Sequence, residues 1–392
     1  MKQTLAVAAL VLWLAAPLAS PLSAQNPEDV ASGPTSTRPG DRGYTAAYVI
    51  EPSSGRVLFE DNANTPVPTA SMVKMMTCLI VMEEIRDGRL TLETPVTISA
   101  RSSLMGGSQI YAKQGQVFPV KTLLAATMVQ SANDAALALA EKVGGSAEAF
   151  AQLMNRRGKA MGLKNSTFYD PHGLPSKEKG KDNIMSARDL AVLGMELMKY
   201  PLMREYAAMP TMPFSNGTFT SGMTNPNHLL KEYDGAYGIK TGYTVGAGFS
   251  VTAAARRGGM DVIAVVTGAK TSRGPKSSFD IAGALMNDAF VQFSTVTPIK
   301  KGAVVGKAAV GRGKTATVDA IASAEASAVV PRGEEGSVSV SFEGSTVDAP
   351  VQKGQPVGVI VLKANGKEVG RVPAVAAADV AVRPWWQLWT FK

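Results

Sequence analysis

The sequence predicts a mixed α/β domain followed by a small all-β domain, and three stretches of the chain support this prediction. Near the start, two β-rich runs flank the turn residues of "YTAAYVIEPSSGRVLFEDN", which predicts a hairpin from Tyr44. Helical patterns fill the middle of the chain, and strand patterns return from Tyr237. Because strands lie at both ends with helices between them, we expect one sheet that gathers both ends of this domain.

The helices are predicted from apolar periodicity and from their end signals. Ser186 and Asp189 form a capping box ahead of "LAVLGMELM", and two glycines close "DAALALAEKV". The other helical segments are residues 71–87, "VKTLLAATMVQ", residues 148–161 and "SSFDIAGALMNDAFVQF". Strands are predicted for "YGIKTGYT", "AGFSVTAAAR" and "MDVIAVVTGA", which are joined by glycine-containing turns.

The composition shifts after Phe293 to valine, alanine, glycine and serine. The runs "GSVSVSFEG" and "PVGVIVLKANGKEVGRV" alternate in polarity, and the second contains the hairpin signal Asn365-Gly366. The sequence therefore predicts an α/β domain over residues 44–293 and a sandwich-like all-β domain over residues 294–382.

The amino-terminal residues carry the order of a signal peptide. One positive charge precedes an apolar stretch from Leu5 to Ala16, and a small residue follows at Ala24, so we expect export and cleavage after Ala24. The alternative is an uncleaved membrane span, although proline interrupts the apolar run. Residues 25–43 are rich in Pro, Gly, Ser and Thr, which predicts a flexible arm.

The net charge of +8 permits attraction to anionic partners. Lysine and arginine form no dense run interleaved with aromatic residues, so we expect no nucleic acid partner. An anionic membrane surface or a polyanionic wall fits an exported protein better. We therefore expect the protein in the periplasm or at the outer face of the cytoplasmic membrane.

Few residues in this chain are suited to metal or histidine chemistry. The two histidines, His172 and His228, are far apart in the sequence and no HExxH motif exists, so no zinc site is expected. A Ser-His-Asp triad is disfavoured because no G-x-S-x-G sequence accompanies either histidine. The lone Cys78 lies within an apolar run and is interpreted as a buried core residue rather than a nucleophile. We predict neither a metal nor a cofactor.

Ser71 and Lys74 in "TASMVKMMT" are candidates for a nucleophile and its base. Residues i and i+3 share a helix face, and burial beside another positive charge lowers the pKa of a lysine toward neutrality. A helix N-terminus also favours developing negative charge. The alternative is that Ser71 only caps the helix and Lys74 is a surface charge. Both interpretations remain open for this motif alone.

Two further motifs favour the catalytic interpretation. Ser131-Ala132-Asn133 precedes a predicted helix, and Lys240-Thr241-Gly242 lies on a predicted strand. The ordered set S-x-x-K, S-x-N, K-T-G resembles that of the penicillin-recognising serine enzymes. Within this group the chain most resembles the D-alanyl-D-alanine carboxypeptidases, the low-molecular-mass penicillin-binding proteins. "DPHGLP" and the appended β domain extend the resemblance from Tyr44 to the end of the chain.

The resemblance implies a serine β-lactamase/penicillin-binding transpeptidase-like α/β (α+β) domain and removal of the terminal D-alanine from peptidoglycan pentapeptide stems. It implies Ser71 as nucleophile, Lys74 as base and Ser131 as proton relay. Asn133 would hold the substrate amide and keep Lys74 in place. β-Lactams are expected to acylate the same serine.

The resemblance also implies the groups that bind substrate on the K-T-G strand. Lys240 and the Thr241 hydroxyl would bind the free carboxylate, and Gly242 would let the substrate lie against the strand. The backbone N–H groups of Ser71 and Tyr243 would form the oxyanion hole.

Some positions depart from the family pattern. Pro275 stands where relatives often place a carboxylate-binding arginine, so Arg273 or Lys276 is the candidate substitute. Residues 383–392 hold three of the four tryptophans, which predicts either an amphipathic tail at the membrane interface or a segment folded onto the β domain. A DD-endopeptidase, a β-lactamase and an inactive peptidoglycan-binding module remain the alternatives.

Overall fold

The computed structural model of the protein describes residues 43–215, 220–271, 273–274 and 277–384. The predicted signal peptide, nearly all of the predicted arm, Lys276 and residues 385–392 lie outside this part of the chain. No helix among the described residues is both long and apolar enough to cross a bilayer.

A five-stranded antiparallel sheet forms the centre of the first domain, and it gathers strands from both ends of that domain as predicted. Its order is β2-β1-β11-β10-β9. The strands are β1 (Ala46–Glu51), β2 (Arg56–Asp61), β9 (Ala236–Thr244), β10 (Gly248–Arg257) and β11 (Met260–Ala269). The carboxylate of Glu51 accepts hydrogen bonds from Ser53 and Ser54, which closes the turn between β1 and β2. Because β9 pairs with only one strand within the described part of the chain, its other edge is available to a further strand.

The nine α-helices of the described residues lie around this sheet. They are α1 (Lys74–Arg86), α2 (Ala100–Ser103), α3 (Val120–Ala125), α4 (Asn133–Gly144), α5 (Ala147–Ala160), α6 (Ala187–Leu197), α7 (Pro201–Ala208), α8 (Leu229–Glu232) and α9 (Ser278–Gln292). Alternate residues of β1 point to the two sides, so that Tyr48 joins the core shared with α1 and α6 while Val49 joins the core shared with α9. Ser186 caps α6 as predicted, since its side chain accepts from the N–H of Asp189, but the box is not closed, because the Asp189 carboxylate accepts from Asn165 and Ser166 instead.

Shorter elements complete the helical side. Three antiparallel pairs join β3 (Val67–Pro68) to β6 (Ile184–Met185), β4 (Pro95–Thr97) to β5 (Val117–Pro119), and β7 (Thr211–Ser215) to β8 (Thr220–Thr224). A 3₁₀ turn, Ala70–Val73, leads directly into α1, and a π-helical segment, Ala126–Gln130, follows α3. The sequence predicted neither irregular segment, and both lie beside predicted site residues.

The second domain consists of strands only, apart from one 3₁₀ turn at Glu335–Ser337. Its strands are β12 (Phe293–Ile299), β13 (Val304–Gly311), β14 (Thr317–Ala322), β15 (Ala326–Pro331), β16 (Val338–Gly344), β17 (Val347–Asp348), β18 (Pro356–Ala364) and β19 (Lys367–Ala376). β12 pairs with β15, and the other six form a sheet in the order β16-β18-β19-β14-β13-β17. Arg56 of β2 donates to the carbonyl of Val329, which joins the first domain to the second.

Candidate active site

Ser71 lies in the 3₁₀ turn that precedes α1. The residue before it, Ala70, has a φ of +47°, and its Cβ lies against Gly242 of β9. A Cβ on Gly242 would lie 2.7 Å from the carbonyl oxygen of Thr69, so only glycine allows β9 to approach this closely. The capping interpretation of Ser71 is wrong, because the first residue outside the turn is Thr69 and the Ser71 side chain makes no cap hydrogen bond.

Lys74 is fully buried, as the catalytic interpretation requires. Its Nζ donates to Oγ of Ser71 at 2.9 Å and to the carbonyl of His172 at 2.7 Å. Burial lowers the pKa of Lys74 well below its usual value, and the charge of Lys240 lowers it further. A lysine in this state loses its proton readily, so it can accept the proton of the Ser71 hydroxyl.

Lys240 and Ser131 form a second pair beside the first. Nζ of Lys240 donates to Oγ of Ser131 at 2.8 Å, and Lys240 is only 2% exposed. Burial lowers its pKa to about 8. Ser131 has a left-handed backbone conformation, with φ +60° and ψ +33°, where the π-helical segment ends. This conformation is uncommon for a residue other than glycine, and strained residues of this kind cluster at functional sites.

Asn133 is the first residue of α4 and is 2% exposed. Its Nδ2 donates to the carbonyl of Gly106, while its Oδ1 is buried without a hydrogen-bond partner among the described residues. We expected Asn133 to keep Lys74 in place. In the structure it is the carbonyl of His172 that accepts a hydrogen bond from Nζ of Lys74, and the amide of Asn133 binds the loop at Gly106 instead.

The remaining predicted residues lie on β9, where the K-T-G motif was expected to form a strand. Thr241 is half-buried, and Tyr243 is 54% exposed with its ring stacked on Phe249 at 4.1 Å. Arg273 is exposed, and its backbone closes a turn with the Thr271 hydroxyl. Its part in carboxylate binding stays a prediction.

Sequence reasoning missed two groups at this site. Asp170 accepts hydrogen bonds from the backbone of the loop that meets Lys74, and Asp134 accepts from the N–H groups of Ile110 and Ala112, which fixes the loop that Asn133 contacts. Asp134 directly follows the S-x-N motif, and this position in the sequence was a usable signal. In the structure its side chain is buried. No group of His, Cys, Asp and Glu suited to holding a metal is found among the described residues.

A serine paired with a buried lysine, beside the open edge of a sheet, defines a serine hydrolase that uses lysine in place of histidine. The family can be stated more narrowly. The chain belongs to the D-alanyl-D-alanine carboxypeptidase family, whose model matches residues 35–271. A second model, penicillin-binding protein 5, C-terminal domain, matches residues 293–382.

Individual relatives agree with this assignment. The chain is 35% identical over 338 residues to the D-alanyl-D-alanine carboxypeptidase DacF of Bacillus subtilis, covering 86% of this chain and 85% of the relative. A peptidoglycan synthesis regulatory factor (PBP3) from Streptococcus pneumoniae has a similar structure, with a TM-score of 0.75, 29% identity, and coverage of 86% and 99%. Penicillin-binding protein D2 from Listeria monocytogenes, solved in the ampicillin-bound form, gives a TM-score of 0.57 at 29% identity, covering 64% and 98%.

Proposed function

We propose that Ser71 is the nucleophile with which this D-Ala-D-Ala carboxypeptidase removes the terminal D-alanine of peptidoglycan pentapeptide stems. The observation that carries the proposal is the 2.9 Å contact between Oγ of Ser71 and Nζ of a fully buried Lys74. As Oγ attacks the carbonyl carbon of the penultimate D-alanine, its proton passes to the amine of Lys74. The carbonyl oxygen becomes an oxyanion that the N–H groups of Ser71 and Tyr243 would stabilise, each by roughly 2.7–4 kcal/mol.

The second half of acylation needs a proton at the leaving nitrogen, and the proton that Lys74 took from Ser71 supplies it, which leaves Lys74 neutral again. Ser131 is suited to relay it, because its hydroxyl contacts Lys240 at 2.8 Å. The C–N bond then breaks, D-alanine leaves as the free amino acid, and an ester to Ser71 remains. Water hydrolyses this ester, with Lys74 as base, and restores the serine hydroxyl.

Substrate binding is assigned to the edge of β9 and to Asn133. A peptide that lies along this edge adds a strand to the sheet, with its terminal carboxylate near the Lys240 ammonium and the Thr241 hydroxyl. The unpartnered Oδ1 of Asn133 is free to accept a peptide N–H, and a buried acceptor without a donor is costly. β-Lactams would acylate Ser71 in the same position.

The test is covalent labelling of Ser71. Intact-mass spectrometry after incubation with penicillin should show one adduct on the wild-type protein, and a D-Ala-D-Ala peptide should release D-alanine. Ser71→Ala should lose both signals while its circular dichroism is unchanged. Ser323→Ala, in the second domain, serves as the matched control and should keep both. Labelled Ser71→Ala would refute the nucleophile, and rapid turnover of penicillin would indicate a β-lactamase instead.

We also propose that the enzyme acts outside the cytoplasm, held near the membrane by residues 383–392. The signal-peptide order of residues 1–24 and the tryptophans of the tail support this placement. Mass spectrometry of the exported protein should find Gln25 as the first residue. A protein that lacks residues 383–392 should move from the membrane fraction to the soluble fraction, and unchanged partition would refute the tail as an anchor.

A further inference from the structure

The loop from Asp170 to Leu174 contacts both members of the candidate catalytic pair. The carbonyl of His172 accepts from Nζ of Lys74, and the carbonyl of Pro171 accepts from the hydroxyl of Thr77, one turn further along α1. Gly173 lies so close to the turn of Ser71 that a Cβ there would be 2.0 Å from the carbonyl oxygen of Ala70 and 3.1 Å from the nitrogen of Ser71. The position of this loop therefore determines where Lys74 can point.

The Asp170 carboxylate holds the loop in this conformation. Its Oδ1 accepts from the backbone N–H of His172 at 2.8 Å and from that of Gly173 at 2.6 Å, and Nδ1 of the His172 ring lies 2.9 Å away. Its Oδ2 accepts from Nδ2 of Asn183 at 2.9 Å. Both carboxylate oxygens of Asp170 therefore accept hydrogen bonds, one from the backbone of the loop and the other from Asn183.

Asn183 links the loop to the body of the domain. It is 3% exposed and precedes β6, and its Oδ1 accepts from the N–H groups of Tyr169 and Asp170. Burial acts to raise the pKa of Asp170, but the side chain of His172 and the backbone N–H groups of His172 and Gly173 outweigh it and lower that pKa. Asp170 is therefore an anion in the folded protein at neutral pH.

We infer that Asp170 is a positioning residue for acylation: its carboxylate fixes the His172 carbonyl on Nζ of Lys74 and places a negative charge near the base. Asp170 touches neither substrate nor Lys74 in this role, because it acts through the backbone of His172. The inference rests on the proposed function of Lys74 as the base for Ser71.

The charge of Asp170 is one of several that surround Lys74. Lys240 on β9 lowers the pKa of Lys74, in the same direction as burial. Asp170 in its loop and Asp134 on α4 act in the opposite direction, whereas the Cys78 thiol on α1, whose pKa burial raises to about 12, is uncharged at neutral pH. Removing the negative charge at position 170 should therefore lower the pKa of Lys74 further and leave more of the base unprotonated at low pH.

The test compares Asp170→Asn with Asp170→Ala in penicillin acylation, with separate measurement of the pre-covalent dissociation constant and the acylation rate. We expect Asp170→Ala to lower the acylation rate by about 10²-fold with little change in the dissociation constant, because the loop loses its acceptors while β9 is untouched. Asp170→Asn keeps one oxygen for the N–H groups of His172 and Gly173, so we expect a loss of about tenfold or less. The acidic limb of its pH profile should move to lower pH.

Two further variants make the test specific. Asp170→Asn combined with Asn183→Asp exchanges the donor and acceptor between the two side chains and should recover most of the rate lost in Asp170→Asn. Asp182→Asn alters a nearby carboxylate that accepts from Ser176 instead, and it should behave as the wild type. Melting temperatures identify any variant that fails to fold, and if Asp170→Ala fails, Asp170→Asn and the exchange variant carry the test.

The positioning role is overturned if folded Asp170→Asn shows the wild-type rate and an acidic limb at the wild-type pH. It is also overturned if the exchange variant recovers nothing. These outcomes differ from failure of the proposed function, in which the wild-type protein itself would form no adduct on Ser71.

Discussion

Replacing Gly173 with alanine should inactivate the enzyme through the backbone of its nucleophile. Gly173 has a φ of +84°, a conformation that costs an alanine about 1–2 kcal/mol. The new Cβ would also lie 2.0 Å from the carbonyl oxygen of Ala70, where carbon needs about 3.5 Å. The loop and the Ser71 turn must therefore separate by more than about 1 Å, and a misplacement of this size costs about 10²-fold in rate.

Gly180 provides the matched control for this prediction. It also has a positive φ, +81°, but a Cβ there would meet nothing within 4 Å. Gly180→Ala should lower the melting temperature by about 2–8 °C through backbone strain alone and should keep the wild-type acylation rate. Gly173→Ala should lower both the melting temperature and the rate of acylation by a fluorescent penicillin. Wild-type acylation in Gly173→Ala would show that Ser71 does not depend on this contact.

Three further experiments, two with variants and one with a thiol reagent, test other groups of the two domains. Burial lowers the pKa of Lys240 from 10.5 to about 8, so the folded protein releases this proton at lower pH than the unfolded chain. As the pH rises from 8 to 10.5, the free energy of unfolding measured in urea should therefore increase by about 3 kcal/mol more in the wild type than in Lys240→Met. The same pH dependence in both proteins would contradict this. Burial raises the pKa of the Cys78 thiol to about 12, so iodoacetamide should alkylate it only in denaturant, and alkylation of the native protein would refute its inertness. Gly306→Ala would bring a Cβ within 2.4 Å of the Phe342 ring, which should destabilise the second domain in a thermal melt while penicillin acylation by the first domain is unchanged.

The sequence was sufficient to predict what depends on local pattern. The spacing of Ser71 and Lys74 predicted a shared helix face, and the 2.9 Å contact confirms that they meet. Capping residues predicted α6, and alternation with glycine turns predicted β9, β10 and β11. The strand order confirms the expected sheet, which is gathered from both ends of the domain. It could be predicted because its strands are long and apolar enough to be recognised individually.

The sequence did not predict contacts between distant loops. Lys74 and His172 are 98 residues apart, and neither periodicity nor propensity relates a backbone carbonyl in one loop to an amine on a helix. The π-helical segment before Ser131 has the composition of an ordinary helix, so its extra residue per turn is set by tertiary packing rather than by local preference. The same holds for Asn133. Its motif led us to expect that it keeps Lys74 in place, whereas its Nδ2 donates to the carbonyl of Gly106 in a distant loop.

The two buried lysines have different tasks, and their surroundings explain how each is suited to its own. Burial lowers the pKa of both, and the charge of Lys240 lowers that of Lys74 further, which suits Lys74, at 2.9 Å from Oγ of Ser71, to act as the base. Lys240 contacts Ser131 instead, and its ammonium can attract the carboxylate of the substrate. When that carboxylate binds, its negative charge stabilises the Lys240 ammonium and offsets part of the repulsion felt at Lys74. The carboxylate of Asp170 acts on Lys74 in the same direction before substrate arrives, so the pKa of the base reflects a balance among the positive charge of Lys240, the negative charges of Asp170 and Asp134, and the cost of burial.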